Sequence, residues 1–181
     1  MKKAAIFTLN GNVNYGNRLQ NYALQEVLKS YGFSVETVIN NSDYIDTNKS
    51  ELSISDKLRI IRGNSVFDFV NNSIEIFLNK LNKTKHEKLK QMKMERFKQF
   101  TDTYIVETKF EIDRYNVPDN LGSIYDYYIT GSDQVWNPYV RKGSPIDFLK
   151  FAPIHKRIAY APSFGVSEIP EEYVDTYRDY I

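Results

Sequence analysis

The sequence predicts an α/β fold, a parallel sheet flanked by helices. Three observations carry this. An apolar run, an amphipathic stretch and a β-branched run follow one another near the start of the chain. That order is a strand–helix–strand unit, which implies parallel strands joined by a right-handed crossover. Strand–turn alternation then returns after Pro118. The polar loops also sit at strand ends, where an open α/β sheet holds its ligands.

The first run, Ala4–Leu9, is apolar with no helical period, as a buried strand requires. The loop Asn10–Gly16 follows, and Asn17 opens a helix to about Tyr31. Leu19, Tyr22, Ala23, Val27 and Leu28 share one stripe of that helix. Gly32 suits the C′ position, because it tolerates a left-handed backbone. Ser34–Ile39 alternates, is β-branched and reads as a second strand. Residues 40–53 are polar and loop-like. From Ile54 to Phe100 the pattern is helical, with an apolar stripe through Val66, Phe69, Val70, Phe77 and Leu81. We expect a single domain over 1–181 with this helical insertion at about 54–100.

The later elements are shorter. Tyr125–Thr130 reads as a strand, Asp147–Phe151 as a short strand and Arg157–Tyr160 as another. A helix starts at Pro170, with Glu171 and Glu172 favourable to its dipole. Tyr173, Val174, Tyr177 and Ile181 form its apolar face. It reaches Ile181 without a glycine or a cap and so reads as cut there.

Composition limits the chemistry. The chain has 181 residues, 24 Lys+Arg against 23 Asp+Glu, two histidines and no cysteine. A net charge of +1 gives no overall field to attract nucleic acid. Without cysteine there is no disulfide scaffold, thiolate nucleophile or Cys-based metal site. His86 and His155 are too few for a multi-His metal site. The apolar start is shorter than a signal-peptide core, and nothing approaches a membrane span, so we expect a cytoplasmic protein. Between Lys80 and Lys98 lie eight basic and two acidic residues. A solvated helix face explains that bias, and an anionic partner such as a membrane surface is the sharper reading.

Three loops carry polar groups suited to chemistry. The first, Gly11 to Arg18, has the Gly-x4-Gly spacing of a phosphate-binding loop. It places Asn17 and Arg18 where such a loop needs Lys and Ser or Thr. What survives is a helix N-terminus behind a parallel strand, with free N–H groups and the charge of Arg18. The plainer reading is a tight turn at Gly16 with Asn17 as cap. The second loop, Gly131-Ser132-Asp133-Gln134-Val135-Trp136-Asn137-Pro138, gathers a hydroxyl, a carboxylate, two amides and the single Trp. Asp133 suits a general base toward a hydroxyl. Trp136 either stacks on a sugar ring or packs under the loop. The plainer reading is an Asx-capped turn over a buried Trp. The third loop, Tyr160 to Gly165, holds Ser163. It lacks the G-x-S-x-G elbow, so Ser163 reads as a hydroxyl donor or cap rather than a nucleophile.

Taken together, NYGNRLQNYALQ, YDYYITGSDQVWNP and KRIAYAPSFG resemble the blocks of the polysaccharide pyruvyl transferase family. Asn14, Tyr15, Gly16, Leu19, Gln20, Tyr22, Ala23, Leu24 and Gln25 fit the first. Asp126, Gly131, Ser132, Asp133, Gln134, Trp136 and Asn137 fit the second, which is the most specific. Tyr160, Ala161, Ser163, Phe164 and Gly165 fit the third. The resemblance implies a Rossmann-like domain, the amino-terminal half of a glycosyltransferase-B-like architecture whose second, donor-side domain is absent from this sequence. It implies transfer of the enolpyruvyl unit of phosphoenolpyruvate to a sugar as a pyruvate ketal, with no cofactor. The acceptor is a cell-surface polysaccharide or its lipid-linked precursor.

On that reading Asp133 is the catalytic base. Asn14, Tyr15, Gly16, Asn17, Arg18, Gly131, Ser132, Gln134, Trp136, Asn137 and Ser163 bind substrate. This half has few cations at its loop ends, namely Arg18, Arg141 and Lys142, and many amides and hydroxyls, which suits the acceptor side. Two other readings stay open: a glycosyltransferase with a nucleotide-sugar donor, and a binding module without turnover.

Overall fold

The computed structural model describes residues 1–10, 14–42 and 87–181. The chain divides into two compact units, Met1–Ile45 with Phe97–Ile181, and Asp46–Arg96. Most of the helical stretch expected at 54–100 lies outside the described residues. Residues 87–104 are helical (α2), and the part from Phe97 onward belongs to the first unit. Among the described basic side chains of the Lys80–Lys98 stretch, Lys88, Lys90, Lys93 and Arg96 are exposed.

The first unit is built on a five-stranded sheet. Its strands are β1 (Lys3–Phe7), β2 (Ser34–Asn40), β3 (Glu107–Ile112), β4 (Tyr127–Asp133) and β5 (Arg157–Pro162). The spatial order is β3-β2-β1-β4-β5, and all neighbouring pairs are parallel. The chain lays down β1, β2 and β3 toward one edge, then returns to add β4 and β5 on the other side of β1. The order therefore reverses between β1 and β4. That reversal opens a crevice at their carboxyl ends, because the connections leave in opposite directions.

Both faces of the central strands are buried, as parallel sheets require. Ala5 and Phe7 pack with Val38, Leu121, Tyr128 and Leu149 on one face. Ala4 and Ile6 pack with Leu24, Val35 and Ile129 on the other. The alternation follows from the period of two in a strand.

Helix α1 (Tyr15–Ser30) begins earlier than its pattern suggests. Asn14 is the N-cap, its side-chain oxygen accepting from Gly16 N at 2.8 Å. Asn17, expected as the cap, instead lies inside the helix and is buried. The far end is a Schellman motif. Gly32 N donates to Lys29 O at 2.9 Å and Phe33 N to Leu28 O at 3.2 Å. Gly32 takes φ +82, as the expected C′ glycine should.

The stripe expected to face the core is not the buried one. Leu19 is 54% exposed and Val27 is exposed as well. The buried residues are Asn17, Arg18, Asn21, Leu24 and Gln25. Several of their polar groups are held by backbone and side-chain partners, while Asn21 Nδ2 is buried without a hydrogen bond among the described residues. Gln25 donates to Tyr104 O at 2.8 Å and accepts from Val106 N at 2.7 Å. Asn21 Oδ1 accepts from Thr37 Oγ1 at 3.0 Å. Such pairing offsets the cost of burying the polar groups it reaches.

Three further differences have local causes. β3 was not expected, because its charged residues hide the alternation of Thr108, Phe110 and Ile112; it is an edge strand and keeps Lys109 and Glu111 outward. Asp147–Phe151 is not a strand but a run of turns. Asp147 N bonds Ser144 O, Leu149 N bonds Ile146 O and Ala152 N bonds Leu149 O. β4 runs on through Asp133, so the polar block continues the strand before it turns.

The shorter helices α3 (Leu121–Ile124) and α4 (Pro138–Arg141) sit in the connections around β4. Helix α5 (Glu171–Tyr180) follows β5, with Pro170 as its N-cap residue.

Candidate functional site

The carboxyl ends of β1 and β4 meet the first two turns of α1 at the reversal of strand order. A closed set of hydrogen bonds links the three. Ser132 Oγ donates to Gln20 Oε1 at 2.5 Å, and Gln20 Nε2 donates to Thr8 Oγ1 at 2.8 Å. Thr8 Oγ1 in turn donates to Ser132 O at 3.3 Å. Thr8 is buried, whereas Gln20 and Ser132 are half-buried. Neither Thr8 nor Gln20 was singled out as a site residue. Gln20 lies within the first block, three positions after Asn17, so helical spacing was the signal available.

Asp133 stands beside this set with φ +86, a left-handed backbone that is strained for an aspartate. Its Oδ1 accepts from Gln134 N at 2.7 Å, which fixes the carboxylate. Its other oxygen has no hydrogen-bond partner among the described residues. Gly131 takes φ +108, and a Cβ there would collide with the Tyr160 carbonyl oxygen of β5. The Gly131–Ser132 peptide is cis.

The third loop is strapped to the second. Ser163 N donates to Asp133 O at 2.9 Å, and Trp136 N donates to Ser163 O at 3.2 Å. Ser163 itself is exposed. Asn137 caps α4 by accepting from Tyr139 N at 2.9 Å, and its amide nitrogen donates to Gln134 Oε1 at 2.8 Å. Gly165 packs against that Gln134 side chain with no room for a Cβ. Gln134 is otherwise exposed. Trp136 packs under the loop. Its ring stacks on Phe148 with centroids 5.0 Å apart, and its N–H donates to Asp147 O at 2.9 Å.

The first loop contributes its backbone more than its side chains. Asn14 and Gly16 form the capped start of α1, and Asn17 is turned inward. Tyr15 is half-exposed and stacks on Phe97 at 3.9 Å. Of the first-turn N–H groups, that of Gly16 is taken up by the Asn14 cap, and no acidic residue occupies this turn. Arg18 is 1% exposed. Its guanidinium donates to Leu9 O at 3.0 Å and to Glu107 Oε1 at 3.2 Å.

Arg141 mirrors it. It is equally buried and donates to Thr8 O and to Asp147 Oδ1, both at 3.3 Å. Two buried arginines therefore hold consecutive carbonyls just past β1, fixing the strand end that carries Thr8. Burial pushes the Asp147 carboxyl up to about 6, with Arg141 pulling it back down. Lys142 is exposed and takes a left-handed backbone at the end of α4.

An apolar cavity of about 430 Å³ lies elsewhere, between Phe164, Ile169, Val174, Tyr177 and Ile181. Proton transfer needs polar groups, so the reversal of strand order is a better site than that apolar hollow. No group of three or more His, Cys, Asp or Glu able to hold a metal occurs among the described residues. No helix among them is long and apolar enough to cross a membrane.

A family model described as polysaccharide pyruvyl transferase matches residues 14–181. The match takes in α1 and all three polar blocks; β1 precedes it. No curated protein matches the chain, and neither does any solved structure.

Proposed function

The chain belongs to the polysaccharide pyruvyl transferase family, and we propose that it moves pyruvate from phosphoenolpyruvate onto two hydroxyls of a polysaccharide sugar. The product is a cyclic ketal, and phosphate is released. Atoms balance without a redox partner. The first hydroxyl adds to the enol carbon as the methylene carbon gains a proton. The second hydroxyl then displaces phosphate, which carries away the remaining proton.

The observation that carries the reading is the Asp133 carboxylate at the end of β4. One oxygen is held by Gln134 N, and it adjoins the Thr8–Gln20–Ser132 set. In this role Asp133 takes the proton of the attacking hydroxyl. The single proton of Ser132 is already given to Gln20, so Ser132 Oγ has only acceptor capacity left. An acceptor-only oxygen favours a sugar hydroxyl and disfavours a phosphate oxygen. Arg18 and Arg141, the arginines nearest these strand ends, are turned inward to the carbonyls just past β1, which also supports assigning this unit the acceptor side of the cleft. In this proposal the donor trianion is held by cations of a second domain, in a glycosyltransferase-B-like arrangement. The setting is the cytoplasm, and the acceptor is a cell-surface polysaccharide or its precursor.

The test is Asp133→Asn in the complete enzyme, with phosphate release followed from phosphoenolpyruvate and a polysaccharide acceptor. We expect a loss of about 10²–10⁴-fold in kcat with an unchanged circular dichroism spectrum. Undiminished turnover sinks the role of Asp133. Release of a nucleotide from a sugar-nucleotide donor would replace the proposed reaction.

A second reading, a binding module without turnover, is favoured by one observation. Edge strand β5 leaves Ile158 and Tyr160 exposed. Absence of phosphate release together with tight self-association would support it.

A further inference from the structure

A polar cavity of about 280 Å³ lies to the side of the strand-order reversal. Asn10 follows β1, Asn41 follows β2, Thr101 comes from α2, and Glu107 and Glu111 come from β3. Of these, Glu107 also holds the Arg18 guanidinium. The volume falls just below the roughly 300–1,000 Å³ of sites for drug-sized ligands, so it suits a single small ring.

Two of its polar atoms have no partner among the described residues. Thr101 is 6% exposed, and its Oγ1 is buried without a hydrogen bond. Asn10 Nδ2 donates to Val38 O at 2.9 Å, while its Oδ1 is buried and unpaired. Buried polar atoms left unpaired carry a full desolvation penalty, so they mark where a ligand's hydroxyls can bond.

The charges set the ligand's sign. Lys98 is closed on Asp102 at 2.6 Å, so it offers little to an anion. Glu107 is paired with Arg18 at 3.2 Å. Among the described residues, Glu111 is matched by the neutral amide of Asn41, at 2.7 Å, and by no cation. The lining therefore keeps one carboxylate in excess even after Arg18 is included. A phosphate or a carboxylate would be repelled, whereas hydroxyl or ammonium donors would be welcomed.

We propose that this cavity is a subsite for one hydroxyl-rich, non-anionic ring, a hexose or hexosamine. Resting on the reading of a polysaccharide acceptor, the occupant is a sugar unit neighbouring the one that reacts. Glu111 and Asn41 accept and donate to its ring hydroxyls, and Asn10 Oδ1 and Thr101 Oγ1 gain the partners they lack.

The experiment is a titration of the full, isotope-labelled chain by nuclear magnetic resonance. The probes are galactose, glucosamine and inorganic phosphate. The reporters are the side-chain amides of Asn10 and Asn41 and the backbone amide of Thr101. We expect saturable shifts with one or both sugars and none with phosphate. Glu111→Gln, at an exposed position, should weaken sugar binding about tenfold without unfolding the chain, as should Thr101→Val. Shifts with phosphate, no shifts with either sugar, or unchanged affinity in both variants would overturn the subsite. Asp133→Asn should leave these titrations unaltered. The subsite can therefore fail while the role of Asp133 stands, and the reverse.

Discussion

Raising the pH from about 4 to about 7 should weaken this fold through one carboxyl, that of Asp147. Asp147 and Arg141 are each 1% exposed, and their closest approach is 3.3 Å. Asp147 Oδ2 is buried with no hydrogen bond among the described residues. Desolvation therefore outweighs the attraction of Arg141, and the carboxyl rises from 3.8 to about 6. The same charge helps raise the Tyr177 phenol nearby, after burial and Tyr173.

A carboxyl raised in the folded state keeps its proton there while the unfolded chain has already released it. The folded state then binds more protons between about 4 and 6, so stability is present below that window and lost on rising through it. A shift of about two units corresponds to about 3 kcal/mol. The assay is urea denaturation of the wild type and Asp147→Asn at several pH values across the window. The amide mimics the protonated acid, and the Arg141 charge left uncompensated adds an offset rather than a slope. The wild type should lose about 3 kcal/mol relative to the variant as the pH rises. A flat difference, or one of opposite sign, would show that the ion pair outweighs burial and would refute the reasoning.

Other expectations are simpler. Gln25→Leu orphans Tyr104 O and Val106 N together; denaturation should show a loss of roughly 2–5 kcal/mol. Gly131→Ala would force a Cβ onto the Tyr160 carbonyl and a strained φ on alanine. It should destabilise by about 3 kcal/mol or more and expose the β4–β5 pairing to hydrogen exchange. Tyr177→Phe removes only the bond to Trp136 O, which is 3.0 Å long. It should cost about 1 kcal/mol by the same assay, with a larger loss pointing to a role beyond that bond.

The strand–helix–strand start was legible because its signals are local: an apolar run, a helical period, a glycine at C′ and a β-branched run; the N-cap, Asn14 rather than Asn17, was not. The polar blocks were legible because their residues cluster in sequence. The buried face of α1 was not. Its apolar stripe and its polar stripe are both consistent with a helix, and the sequence offers no measure of which meets the sheet. Asn21 and Gln25 look like surface residues until Thr37 and the stretch from Tyr104 to Val106 are brought against them. Arg18 and Arg141 look like free cations at loop ends for the same reason. Their acceptors, Leu9 O and Thr8 O, are carbonyls that any residue could supply. β3 was missed because it is charged at Glu107, Lys109 and Glu111 and keeps only a weak alternation of apolar residues.

By itself the sequence determined the fold class and the family, since both rest on local periodicity and on short blocks of adjacent residues. Only the tertiary structure decided the order of the strands, and with it the reversal between β1 and β4. It also decided which polar groups are spent on holding that reversal and which are left for a ligand. The reason is that hydrogen bonds saturate. Whether Gln20, Ser132 or Arg18 can still bind anything depends on what is already bonded to it. Those partners come from chain segments that only folding brings together.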